Sequence, residues 1–218
     1  MREPLSGYPE EGKSSPRRFP GRILKWFLGG LLLAAPDAMA AEPMLVEDFE
    51  TDRGATRWSF SEGREFPGAH GGFERAAEAA HGGKFGGRLR FDFSGGGSYV
   101  AAVYRTDRPP DVAAVRVWLK KPAGHTITFR YTDQTGQTFQ RPVFVLDDRW
   151  CDVLIGVDGF ALHWGGANDG IIHGPPVMLS FGIDNTGART GRLLLDDLRL
   201  IEGQPGTAAG VETVELTA

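Results

Sequence analysis

One cysteine in 218 residues is too few for a disulfide framework. Cys151 stands beside Trp150 in an apolar run and reads as a buried, inert thiol, with no histidine spaced to activate it. Equally missing is any long stretch with a 3.6-residue hydrophobic period, which argues against a helical core. The chain has no phosphate-cradling glycine loop followed by Lys and Ser or Thr, no nucleophile elbow and no Cys-x-x-Cys. Basic charge is short as well. Beyond residue 40 there are 18 Lys+Arg against 24 Asp+Glu, a formal net charge of −6. Nucleic acid demands a basic face and is therefore not an expected partner. Anionic lipid finds no reason to bind either.

Long apolar runs are also absent. Arg17, Arg18 and Arg22 precede Ile23–Ala35, and the small residues Ala38-Met39-Ala40 follow it. The apolar core of about 8–13 residues is shorter than the ~20 needed to span a bilayer. The pattern is that of a secretory signal cleaved after Ala40, an uncleaved tether being the alternative. Residues 1–40 are thus expected to be a signal peptide, 41–202 one domain, and 203–218, small and polar, a flexible tail. The expected location is periplasmic or extracellular, with no membrane contact after cleavage.

What the chain does have is glycine, 31 residues of it, and short alternating strands. Leu89, Phe91 and Phe93 share one face against Arg88, Arg90 and Asp92. Val115, Val117 and Leu119 oppose Arg116, Trp118 and Lys120, and Ile127, Phe129 and Tyr131 oppose Thr128, Arg130 and Thr132. Asp133-Gln134-Thr135-Gly136 has hairpin chemistry. About nine such strands predict an all-β sandwich of two antiparallel sheets. Two apolar runs interrupted by acids, Leu45–Glu50 and Leu193–Ile201, bound the domain. Lying side by side, they would join its two ends.

The opening Val46-Glu47-Asp48-Phe49-Glu50, the strand Arg116-Val117-Trp118-Leu119-Lys120 and the closing Leu195-Asp196-Asp197-Leu198 resemble the galactose-binding-domain-like jelly rolls. The chain is most similar there to carbohydrate-binding modules of family 11 type and to accessory domains of glycoside hydrolases. The resemblance implies a jelly roll and a structural Ca2+ where the first and last strands meet. It implies Glu50 and Asp197 as ligands, with Asp48 and Asp196 as second choices. By plain alternation Asp196 and Asp197 point to opposite faces, so one of the two is expected to ligate. Pairing of these acids with Arg192, Arg199 or turn amides is the competing reading.

A sugar-binding function is the expectation, with a polysaccharide or oligosaccharide as ligand and a separate glycoside hydrolase as an admissible partner. Recognition of a pyranose needs flat aromatic faces beside charged or amide groups. Arg116 and Trp118 with Arg130 supply this if their strands are neighbours, and Gln140 joins from the next strand. Trp118 packed under a loop is the equal alternative. Tyr99 and Tyr104 lie on opposite faces, and Tyr104 is taken as the contributor. The loop from Phe160 to Pro176 offers His163, Trp164, Asn168, Asp169 and His173. It reads as a pinned surface loop, as the rim of a sugar cleft with Trp164 as platform, or as a metal or catalytic site, though its histidines lack a recognised ligand spacing. Catalytic residues are not assigned: the available acids fall mostly at turns and strand ends, so an enzyme, of glycoside hydrolase type, is the lesser expectation. A protein-interaction module similar to complex I intermediate-associated proteins is the runner-up.

Overall fold

The structure, a computed structural model, describes residues 43–52 and 56–206 and the backbone of 214–215. The expected signal peptide lies outside the described residues, as does most of the expected tail. Thirteen strands follow one another: β1 Met44–Glu47, β2 Trp58–Ser61, β3 His70–Ala76, β4 Gly86–Asp92, β5 Tyr99–Arg105, β6 Val112–Lys120, β7 Ile127–Thr132, β8 Thr138–Val143, β9 Cys151–Gly156, β10 Leu162–Trp164, β11 Met178–Asp184, β12 Thr190–Glu202 and β13 Val214–Glu215. A 3-10 turn, Ala77–Ala79, lies between β3 and β4. Among the described residues no helix is long and apolar enough to cross a membrane.

Two antiparallel sheets result. Sheet A runs β13-β9-β6-β12-β4-β3, with β1 also on β12, and sheet B runs β10-β8-β7-β11-β5-β2. The rows that alternate inward in the sequence meet between them. Leu89, Phe91, Val115, Val117, Leu119, Leu193 and Leu195 of sheet A pack against Ile127, Phe129, Tyr131, Leu179, Phe181 and Ile183 of sheet B, all buried. Each such side chain contributes roughly 1.5–3 kcal/mol by leaving water. Cys151 is buried and free.

β12 organises sheet A. One flank pairs with β6; the other is shared, Thr190–Leu195 with β4 and Leu198–Leu200 with β1. The two acid-bearing strands therefore do lie side by side. Asp197, at φ 48°, is an extra residue in the β6 ladder, where Asp196 faces Trp118 but Arg199 faces Arg116. This bulge lets Leu195 and Leu198, three apart, both point inward. Plain alternation at Asp196 and Asp197 is corrected accordingly.

Three elements differ from the sequence expectation. Residues 70–76 are not among the alternating strands read from the sequence, yet they form β3, where Gly71 lies so close to β4 that an added Cβ would sit 2.0 Å from the Arg90 carbonyl oxygen. β10 is an edge strand of three exposed residues inside what reads as a loop. In the expected tail, Val214–Glu215 pairs with β9.

Candidate functional site

The outer face of sheet B carries the most concentrated polar surface. On β7, Thr128, Arg130 and Thr132 point away from the core; Gln140 lies opposite Arg130 on β8, and Ser180 lies opposite it on β11. Tyr99 of β5 pairs with Asp184 of β11 on the same face. Thr128, Thr132, Ser180 and Gly182 are short and buried, so they make a low floor beneath the longer side chains.

Arg130 stands at the centre of this floor. Its Nε donates to Gln140 Oε1 at 2.7 Å and its Nη1 to the Tyr99 hydroxyl at 2.9 Å. Its guanidinium carbon lies 4.2 Å from the Tyr99 ring centroid and 5.4 Å from that of Trp164. No carboxylate among the described residues is in ion-pair contact with it, so outward N–H donors remain. Trp164, on β10 opposite Thr138, is 41% exposed. The Tyr99 hydroxyl in turn donates to Glu65 Oε1, and this bond holds the Glu65 carboxyl below its usual pKa. Burial raises the Asp184 carboxyl although Thr128 Oγ1 donates to it at 3.1 Å. Burial likewise raises the Tyr99 phenol.

Of the residues singled out from the sequence, Arg130, Gln140 and Trp164 lie together on this face. Tyr104 is corrected: it is 2% exposed and packs on Trp58 in the core, and Tyr99 takes the outer face. Arg116 and Trp118 are corrected too, since β6 belongs to sheet A and β7 to sheet B. There Arg116 Nε donates to Asp152 Oδ1 at 2.9 Å, and the Trp118 ring is stacked by His81 at 3.7 Å between centroids. Trp118 is the tryptophan under a loop.

The 160–176 loop is pinned from below. Asp133, fully buried, accepts the backbone N–H of Thr135, Gln137 and His173. The buried Gln137 amide donates to Asp169 Oδ1 and to the Ile171 carbonyl. Asp169 also accepts Ile171 N–H and lies 2.9 Å from His173 Nε2, and these bonds lower its pKa to about 2. Asn168, at φ 53°, turns the chain beside it. Asp169 and His173 therefore serve the loop's own hydrogen bonds, while His163 faces Phe139 across β8. Tyr99, Glu65 and Asp184 are the residues of this face that the sequence reading missed. The parity of Tyr99 with Ala101 and Val103 was the available signal; the Glu65 contact, 34 residues away, left none.

At the joint of β1 and β12 the acids behave differently from one another. Asp196 accepts the backbone N–H groups of His81, Gly82 and Asp197, and Asp48 accepts that of Glu50. Glu50 Oε1 accepts Lys84 N–H and Phe85 N–H, which lowers its pKa. Gly82 and Gly83 come near the remaining acids: a Cβ on Gly83 would lie 2.4 Å from Glu50 Oε1, one on Gly82 3.9 Å from Asp197 Oδ2. Among the described residues no three His, Cys, Asp or Glu side chains gather around one point. Asp197 Oδ1 meets Arg199 Nη2 at 3.4 Å, the arginine pairing that competes with a cation. A cation here would have to share the Asp197 and Glu50 carboxylates, oxygen donors of the kind Ca2+ accepts.

No protein-family model and no curated protein matches the sequence. Solved structures do match in fold. A family 11 carbohydrate-binding module of a cellulosomal cellulase from Clostridium thermocellum superposes with a TM-score of 0.54 at 16% identity, over 77% of this chain and 99% of that one. A family 11 module from the same organism, in complex with a β-1,3-1,4-mixed-linked tetrasaccharide, gives 0.52 at 15% identity, over 75% and 97%. An exo-β-agarase gives 0.50 at 14% identity, over 74% of this chain and 26% of the agarase. The chain has the jelly-roll β-sandwich of these proteins.

Proposed function

We propose that this protein is an exported, non-catalytic carbohydrate-binding module that takes a polysaccharide or oligosaccharide on the outer face of sheet B. The observation that carries the reading is Arg130, held by the neutral partners Gln140 and Tyr99 beside the exposed Trp164 ring. A planar donor fork matches paired sugar hydroxyls, and an indole face matches the C–H surface of a pyranose. The shared fold with modules that bind sugar supports this reading. Catalysis is assigned to a separate partner such as a glycoside hydrolase, and Ca2+ at Glu50 and Asp197 is assigned a structural role. The test is a glycan array probed with the wild-type chain, Arg130→Ala, Trp164→Ala and Trp118→Ala. Binding lost in the first two and kept in the third is expected. Binding indifferent to Arg130 and Trp164 would move the site, and no binding by the wild type would favour a protein-interaction module.

A further inference from the structure

Tyr99 is not held by its strand alone. The turn Gly63–Phe66, closed by Phe66 N–H on the Gly63 carbonyl at 2.7 Å, lies against the start of β5. Gly63 has φ 61°, and a Cβ there would come within 2.9 Å of the Tyr99 carbonyl oxygen. The turn is thus seated on the Tyr99 backbone and delivers Glu65 to the Tyr99 hydroxyl at 2.5 Å. The phenol has one proton. Given to Glu65, it leaves only lone pairs facing Arg130 Nη1, which donates to them at 2.9 Å. Gln140 holds Nε of the same guanidinium from the other side.

We infer that Glu65 is a positioning residue of the glycan face, fixing the direction of the Arg130 fork through the Tyr99 hydroxyl without touching the ligand. The inference rests on the carbohydrate-binding reading for its consequence but not for its geometry. An ionised Glu65 admits only one proton arrangement at Tyr99; a neutral amide in its place admits two, one of which sets a donor against a donor. The fork then samples other directions and loses the preorganisation that keeps binding costs low. Charge near Glu65 does not supply an alternative holder: Arg64 of the same turn pairs with Glu62, and Asp184 on β11 takes the Thr128 hydroxyl.

The experiment uses the full chain with Glu65→Gln, Tyr99→Phe and the double variant. Side-chain NMR of the Arg130 Nη–Hη groups, identified by their loss in Arg130→Lys, reads the geometry directly, because Nη1 is the atom that meets Tyr99 while Gln140 keeps Nε. A wild-type Nη1 signal held apart from the other Nη protons and averaged with them in Glu65→Gln is expected; an Nη1 signal unchanged by that substitution overturns the inference whatever any glycan does. Calorimetry with a mixed-linkage β-1,3-1,4-tetrasaccharide and with agaro-oligosaccharides reads the consequence. Each single variant should weaken binding about tenfold and the double variant no further, because both break one chain of bonds. Additive losses would overturn the shared path. A wild type that binds neither probe, with the NMR result as expected, would count against the carbohydrate reading and leave the positioning role standing.

Discussion

The two outer faces of the sandwich carry the same kinds of side chain and use them differently. On sheet A a tryptophan and an arginine alternate on one strand, but His81 stacks on Trp118 and Asp152 neutralises Arg116. On sheet B the arginine is held by an amide and a phenol, and its tryptophan, on an edge strand, keeps 41% of its surface in solvent. An aromatic beside a cation is therefore not by itself a binding motif. What separates a surface that is spent on folding from one left for a ligand is the partner: an acid and a covering loop in the first case, neutral groups and open space in the second.

That contrast can be broken or sharpened by substitution. The largest effect belongs to sheet B: Arg130→Ala should weaken glycan binding about 100-fold, since charge-assisted hydrogen bonds contribute ~1.5–3 kcal/mol each. Trp164→Ala should cost about tenfold in the same calorimetric titration. On sheet A the loss should fall on stability instead. Asp196→Ala strips three backbone amides of their acceptor and should lower the unfolding free energy by about 2 kcal/mol in denaturant melts, with glycan affinity intact. Trp118→Ala should behave likewise with a loss of about 1–2 kcal/mol, and a fall in affinity there would erase the distinction between the faces. Ca2+ should raise the melting temperature and a chelator lower it, with both effects absent in the Glu50→Gln, Asp197→Asn double variant. The smallest change concerns the pinned loop. The Asp169 carboxyl titrates lower when folded, so its contribution is present above pH 3.8 and lost as pH falls toward about 2. Asp169→Asn should flatten that part of the melting-temperature profile.

Periodicity reached the sandwich because one face of nearly every strand is buried, and a period of two then records which face. It did not reach β3, where the close approach of Gly71 to β4 replaces side-chain packing, or β10, whose three residues are all exposed. Alternation placed Arg130 and Gln140 outward correctly but could not say that β6 and β7, consecutive in the chain, cross to different sheets. Trp118 was misplaced for that reason. Glu65 was invisible because its role depends on a contact between a turn and a strand, a distance the local pattern does not encode.

The shared flank of β12 has a mechanical consequence. Met44 pairs with Leu200 and Glu47 with Leu198, antiparallel, so the start of β1 and the end of β12 lie at one pole. Tension applied through residues 44 and 202 would peel β1 from β12 one rung at a time, like a zipper, where a parallel pair would have to shear all rungs together.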